Sequence, residues 1–62
     1  MCQINACLIS DGSEHQIMED VQLLDFEDDD IVLRDLFGDE KRLKAKIKLI
    51  NIAKNKILLE AL

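Results

Sequence analysis

The sequence contains few of the residue types that carry catalysis. Its 62 residues include one His, two Cys, two Gly and no Trp, Tyr or Pro. His15 alone does not make a Ser–His–Asp set, and the sequence has neither a CxxC pair nor a glycine-rich phosphate loop. These absences predict that the protein is not an enzyme.

Other features that the sequence lacks indicate where in the cell the protein is found. The two cysteines, Cys2 and Cys7, are too few for a disulfide scaffold, and their odd spacing places them on opposite faces of a strand. No run of about 20 apolar residues is present to span a membrane. The N-terminus lacks the basic region and apolar core of a signal peptide. We therefore expect a cytoplasmic protein with no membrane partner.

The length limits how stable a single copy can be. A chain of this size forms one small domain, residues 1–62. It buries only about 60% of its unfolded surface. Pairing of two copies across an apolar face is a common remedy, and two-fold dimers are the most frequent form. We expect a homodimer.

Charge is divided unevenly along the chain. Residues 1–40 contain 12 acidic side chains and one arginine, whereas residues 41–62 contain seven basic side chains and one glutamate. The net charge of −5 argues against a general nucleic-acid binder. The division predicts that the acidic and basic stretches pair, either within one chain or between chains.

Alternation of apolar and polar residues predicts strands. Two turns are predicted at Asp11-Gly12-Ser13 and Gly38-Asp39, and residues 31–37 are a strongly apolar strand. In the first segment, apolar side chains share one face at Cys2, Ile4, Ala6 and Leu8. Five to seven short strands therefore predict an all-β fold, either a small SH3-like barrel or a curled antiparallel sheet with an aliphatic core.

The basic C-terminal third of the sequence is compatible with two types of secondary structure. Between residues 42 and 49, four aliphatic side chains alternate with four basic ones, which predicts a strand. The apolar phase then shifts to Ile50 and Ile52, as a bulge or sharp bend would produce. The same region also has apolar residues at helical spacing. We favour strands because the alternation is unbroken over four pairs, and because Asn51 and Asn55 interrupt the helix.

Cys2 is the best candidate for binding chemistry. A thiolate there lies within chelating distance of its own amide nitrogen and, after removal of Met1, of the terminal amine. A square-planar set of nitrogen and sulfur suits Ni(II) or Cu(II), and a symmetric dimer supplies two of each. The alternative interpretation is a small, inert apolar residue of a first strand.

The second candidate site is a basic strand face. Its four cations are Arg42, Lys44, Lys46 and Lys48. Such a face suits a phosphate backbone, which makes a small RNA-binding module the alternative function. The aromatic platforms that accompany single-strand RNA binding are missing. A solvated face, or one paired with the acidic half, explains the same pattern.

Several segments recur in the same order in a known family. They are Met1-Cys2, Asp11-Gly12, Glu19-Asp20-Val21, Leu36-Phe37-Gly38-Asp39-Glu40 and Ile57-Leu58-Leu59-Glu60. Combined with a length near 60 residues, they resemble the CooT family of small nickel-binding proteins, accessory to carbon monoxide dehydrogenase maturation. The likeness covers nearly the whole chain.

This resemblance implies a small β-barrel and a homodimer with one Ni(II) per dimer, held between subunits through Cys2. It implies a metallochaperone or nickel-storage role, with a nickel enzyme such as carbon monoxide dehydrogenase, or its maturation machinery, as partner. Family members have also been labelled predicted RNA-binding proteins. Cys2 alone matches the family's site residue, whereas Cys7 and His15 have no established counterpart.

Overall fold

The computed structural model describes residues 3–62, which form six β-strands and no helix. No membrane-spanning helix therefore occurs in this range. The all-β expectation is confirmed. The strands are β1 (Asn5–Ser10), β2 (Ser13–Met18), β3 (Val21–Glu27), β4 (Asp30–Asp35), β5 (Glu40–Asn51) and β6 (Lys56–Ala61).

The strands form one sheet in the order β2-β1-β6-β5-β4-β3. Four neighbouring pairs are antiparallel, whereas β1 and β6 run parallel. The sheet is thus mixed, which differs from the antiparallel sheet expected from the sequence. The hairpin that joins β5 to β6 makes these two strands antiparallel. β1 then pairs with the other edge of β6 and runs in the same direction as β6. Side-chain alternation contains no information about this direction.

Tight turns join the first and middle strands. Asp11 (φ 52°) and Gly12 (φ 77°) both adopt positive φ in the turn between β1 and β2. A two-residue hairpin loop with a type I′ turn requires positive φ at both positions. The predicted turn is confirmed. The turn between β3 and β4 is equally short, since only Asp28 and Asp29 lie between the two strands.

Backbone hydrogen bonds bring distant parts of the sheet together. The amide of Val21, at the start of β3, donates to the carbonyl of Ile4 at 2.7 Å. The amide of Leu36 donates to the carbonyl of Asp20 at 3.0 Å. Because β3 is the last strand in the sheet order and Ile4 immediately precedes β1, the sheet must curl back on itself. The expected curled sheet is confirmed.

The core lies on the inner face of this curl and is aliphatic. Neither phenylalanine belongs to it. Partly buried side chains from β1, β2, β3 and β5 pack around it, among them Leu24 and Leu43. The buried members are Ala6, Met18, Val21, Ile31, Leu33, Ala45, Ile57 and Leu59.

The predicted phase change in the basic segment is a β-bulge. Ile47 pairs with Leu59 and Leu49 pairs with Leu58, so Lys48 is the extra residue of β5. The strand prediction for this segment is confirmed, and the helical alternative is wrong. Because the bulge comes before Leu49, this side chain is half exposed instead of sharing the inner face with Leu43.

We expect Leu59→Ala to destabilise the protein by about 2–5 kcal/mol, because it removes a buried side chain from a close-packed core. Leu59 is 0% exposed. Urea unfolding at fixed protein concentration measures the change. The control is Leu62→Ala, at a side chain that is 67% exposed. Equal midpoints for the two variants would contradict this assignment of the core.

Candidate functional site

Cys2, the predicted metal ligand, lies outside the described residues. The chain that follows it is held firmly on both sides. The carbonyl of Ile4 accepts the bond from Val21, and the amide of Asn5 donates to the carbonyl of Asn55 at 2.9 Å. The start of β1 therefore lies between the β5–β6 turn and the start of β3.

An apolar hollow of about 90 Å³ opens to solvent beside the start of β1. Its walls come from the beginning of β1 and from both arms of the β5–β6 hairpin. The amide of Lys54 donates to Oδ1 of Asn51 at 3.1 Å, which closes the tip of that hairpin. The lining residues are Ile4, Ile50, Asn51, Ile52, Asn55, Lys56 and Ile57.

Two exposed aliphatic side chains border this hollow. Ile52 is 82% exposed and Ile50 is 53% exposed. Single exposed apolar residues are ordinary in soluble proteins, but adjacent ones beside an apolar hollow indicate an interaction surface. The hollow and its aliphatic rim together make up what we call the hairpin patch.

Cys7 is buried on the outer face of the sheet, where its neighbours are Glu14 and Lys56. These two side chains form an ion pair at 3.1 Å. Burial raises the pKa of the Cys7 thiol, Glu14 raises it further, and Lys56 lowers it. A raised pKa keeps the thiol protonated near neutral pH, which disfavours metal binding by this residue.

The structure does not bring His15 and Cys7 together. His15 pairs with Leu8, which packs against the core, whereas Cys7 pairs with Gln16. Cross-strand partners share a face and consecutive residues alternate, so His15 and Cys7 point to opposite faces. Within residues 3–62 no three His, Cys, Asp or Glu side chains are grouped so as to hold a metal ion.

The basic face of β5 is largely neutralised by carboxylates of β3, β4 and β6. The nitrogen-to-oxygen distances are 3.1 Å from Arg42 Nη2 to Glu27 Oε2, 3.4 Å from Lys44 Nζ to Asp30 Oδ1, and 3.4 Å from Lys46 Nζ to Glu60 Oε1. All these partners belong to the same chain.

Lys48, the fourth cation of that face, differs from the other three in its pairing. Within the described part of the chain, Lys48 forms no ion pair. Exposed ion pairs of this kind stabilise a fold little, but they remove the continuous positive strip that a phosphate backbone requires. The predicted pairing of acidic and basic stretches therefore occurs within one chain. RNA binding through Arg42, Lys44, Lys46 and Lys48 stays a prediction that this geometry does not favour.

The fold and surface define a small all-β protein with an apolar patch beside its N-terminal strand. The family model described as CO dehydrogenase accessory protein CooT matches residues 1–60. The chain belongs to the CooT family, as its sequence resemblance implied. The family is one of accessory proteins to CO dehydrogenase.

Two proteins are similar to this chain, and the first of them supports this assignment. The crystal structure of a protein assigned to CooT from Carboxydothermus hydrogenoformans superposes with a TM-score of 0.90 at 31% identity, and covers 98% of each chain. The uncharacterized protein MJ1551 of Methanocaldococcus jannaschii is 41% identical over 44 residues, which are 71% of this chain and 77% of that protein.

We expect Cys7 to react slowly with a thiol reagent in the folded protein. In a Cys2→Ala variant, Cys7 is the sole thiol. Its modification by Ellman's reagent at pH 8 should be at least about tenfold slower folded than in denaturant, because burial limits both access and thiolate formation. The folded rate should still rise above pH 9, since the pKa is raised. Equal folded and unfolded rates would show that the thiol is accessible.

Proposed function

We propose that this chain is a homodimeric nickel-binding protein that stores or delivers Ni(II) for maturation of carbon monoxide dehydrogenase. Membership of the CooT family over residues 1–60, a range that includes Cys2, carries the proposal. Nickel is here the cargo of the protein. The finer parts of the proposal are the identity of the metal, its ligand and the dimer.

Cys2 would supply the thiolate of the nickel site. A soft sulfur with an adjacent amide or amine nitrogen suits Ni(II) in square-planar geometry. One chain offers one such pair of donors, so two chains complete the four-coordinate set. Cys7 is a poor second ligand for two reasons. Burial raises the pKa of its thiol, and the side chain lies buried on the outer face of the sheet.

The hairpin patch supplies a suitable surface for the dimer. A two-fold interface must be self-complementary, so that any projection fits a recess on the same surface. Ile52 projects beside a hollow lined by Ile4 and Ile57, and this arrangement meets that condition. In such a dimer, Ile52 of each chain would fill the hollow of the other and remove both from water.

The same interface would bring the two proposed ligands together. Ile4 lines the hollow, and two peptide bonds join Cys2 to Ile4. Covalent geometry keeps their Cα atoms within about 7 Å of one another. Two chains that dock through their hollows therefore have their Cys2 residues close to a common axis, as an inter-subunit metal site requires.

We expect Cys2→Ala to abolish stoichiometric nickel binding while the dimer persists, because the substitution removes the thiolate and leaves the hairpin patch intact. Native mass spectrometry after incubation with limiting Ni(II) measures both. The wild type should show one nickel per dimer. Cys7→Ala is the matched control and should keep that stoichiometry. Retained nickel in Cys2→Ala would refute the assignment of the ligand.

We expect Ile52→Glu to convert the dimer to a monomer at micromolar concentration, because it would bury an unpaired carboxylate in an apolar contact. Light scattering coupled to size-exclusion chromatography measures the mass. Nickel stoichiometry should fall in parallel. Leu62→Glu is the control, since Leu62 is also exposed but lies outside the patch. A dimeric Ile52→Glu would mean that the chains pair through another surface.

A further inference from the structure

The two aromatic side chains of this protein both lie on its surface. Phe26 is 60% exposed and Phe37 is 80% exposed. Sequence alternation placed Phe37 inside a strand, but β4 ends at Asp35 and Phe37 lies in the turn that follows. A large apolar side chain at the tip of a turn gains nothing from the core and is available to another molecule.

The turn that carries Phe37 is held rigidly by Asp35. Its Oδ1 accepts hydrogen bonds from the amides of Phe37 at 2.9 Å and Asp39 at 3.0 Å. The backbone adds two more, from the Asp35 amide to the Asp39 carbonyl at 3.0 Å and from the Gly38 amide to the Asp35 carbonyl at 3.1 Å. Gly38 has a φ of 88°, which favours glycine. The backbone that carries Phe37 is thus fixed before any partner binds.

Leu36 enlarges this apolar tip and anchors it to the neighbouring turn. Its side chain is more than half exposed, and its amide donates to the carbonyl of Asp20 at 3.0 Å. The turn between β2 and β3 is therefore bound to the turn between β4 and β5. Leu36 and Phe37 form what we call the apolar tip.

The surroundings of the apolar tip are acidic. Glu19 and Asp20 lie in the adjoining turn, and Asp39 lies in the same turn as Phe37. Of the two cations on these strands, Arg34 forms an ion pair with Glu40 at 2.8 Å, whereas Lys41 donates to the neutral carbonyl of Ile17 at 3.3 Å and keeps its charge. The three carboxylates around the tip outnumber this one uncompensated cation. The tip therefore presents an apolar centre within a negative rim.

This combination restricts the kind of partner. A second copy docked on the same surface would place carboxylates against carboxylates, which is unfavourable. Phosphate groups are repelled in the same way. A protein surface with an apolar pocket bordered by lysine and arginine complements both the centre and the rim. Exposed aromatic residues that are already ordered are typical anchors of such interfaces, because little conformational entropy is lost on binding.

We propose that the apolar tip, Leu36 and Phe37, is the surface through which this protein docks on nickel-free carbon monoxide dehydrogenase. The proposal requires that the enzyme present an apolar pocket with a basic border, which would complement the tip and its rim. This inference rests on the proposed accessory function, since that function names the client. It adds a surface that involves neither Cys2 nor the hairpin patch.

Phe37→Ser tests the anchor. Binding of the metal-free protein to purified nickel-free carbon monoxide dehydrogenase is measured by isothermal titration calorimetry. We expect the affinity to fall at least about tenfold, as for loss of an aromatic anchor. Phe26→Ser is the matched control, because it makes the same change at the other exposed phenylalanine. Its affinity should equal that of the wild type.

Asp39→Asn tests the acidic rim. Surface plasmon resonance at several salt concentrations should show a lower association rate, and a weaker dependence of that rate on salt, than in the wild type. The dissociation rate should change little. An association rate equal to that of the wild type at low salt would refute the electrostatic part of the proposal.

Three results would overturn the docking site. They are absence of binding by the wild type, unchanged affinity in Phe37→Ser, and a monomeric Phe37→Ser, which would assign the tip to the dimer instead. Nickel stoichiometry, measured separately, should be unchanged in Phe37→Ser. The docking experiments use metal-free proteins. If this protein failed to bind nickel, that result would refute the proposed cargo, but the docking measurements could still be interpreted.

Discussion

The position of strand β1 is the constraint on which the rest of the structure depends. β1 pairs with β2 on one side and with β6 on the other, and Ile4 just before it accepts a hydrogen bond from Val21 of β3. These bonds join the first segment to the last strand and to the far edge of the sheet. They curl the sheet around a small aliphatic core, and they also determine where the chain that leads to Cys2 meets the sheet.

The two faces of the sheet differ in what they leave for recognition. Inside, short aliphatic side chains fill the core, so neither phenylalanine is needed there. Outside, most cations of β5 pair with carboxylates of β3, β4 and β6, and the charged face has little net field to offer a nucleic acid. The remaining distinctive surfaces are apolar, namely the hairpin patch and the apolar tip. Both connect through short backbone links to the start of β1, which would suit the metal delivery proposed for this protein.

Much of the fold was predictable because the signals are local. Alternation over residues 42–48 identifies a strand, and the change of apolar phase predicted the bulge that the structure places at Lys48. Asp11-Gly12 predicted its turn through the positive φ that this turn requires. The charge division predicted ion pairing. The candidate ligand Cys2 came from its chemistry and from a family resemblance, and the structure describes only the strand that follows it.

The sequence by itself determined the all-β class, the strand β5 with its bulge, two of the turns and the membership of the CooT family. Each depends on neighbouring residues or on an ordered set of short segments. Only the tertiary structure decided that β1 and β6 run parallel, that Cys7 and His15 face opposite ways, and that Ile52 and Phe37 are exposed. The physical reason is that these properties depend on which strands meet and in which direction. Side-chain periodicity records the face of a strand but not the identity of its neighbours.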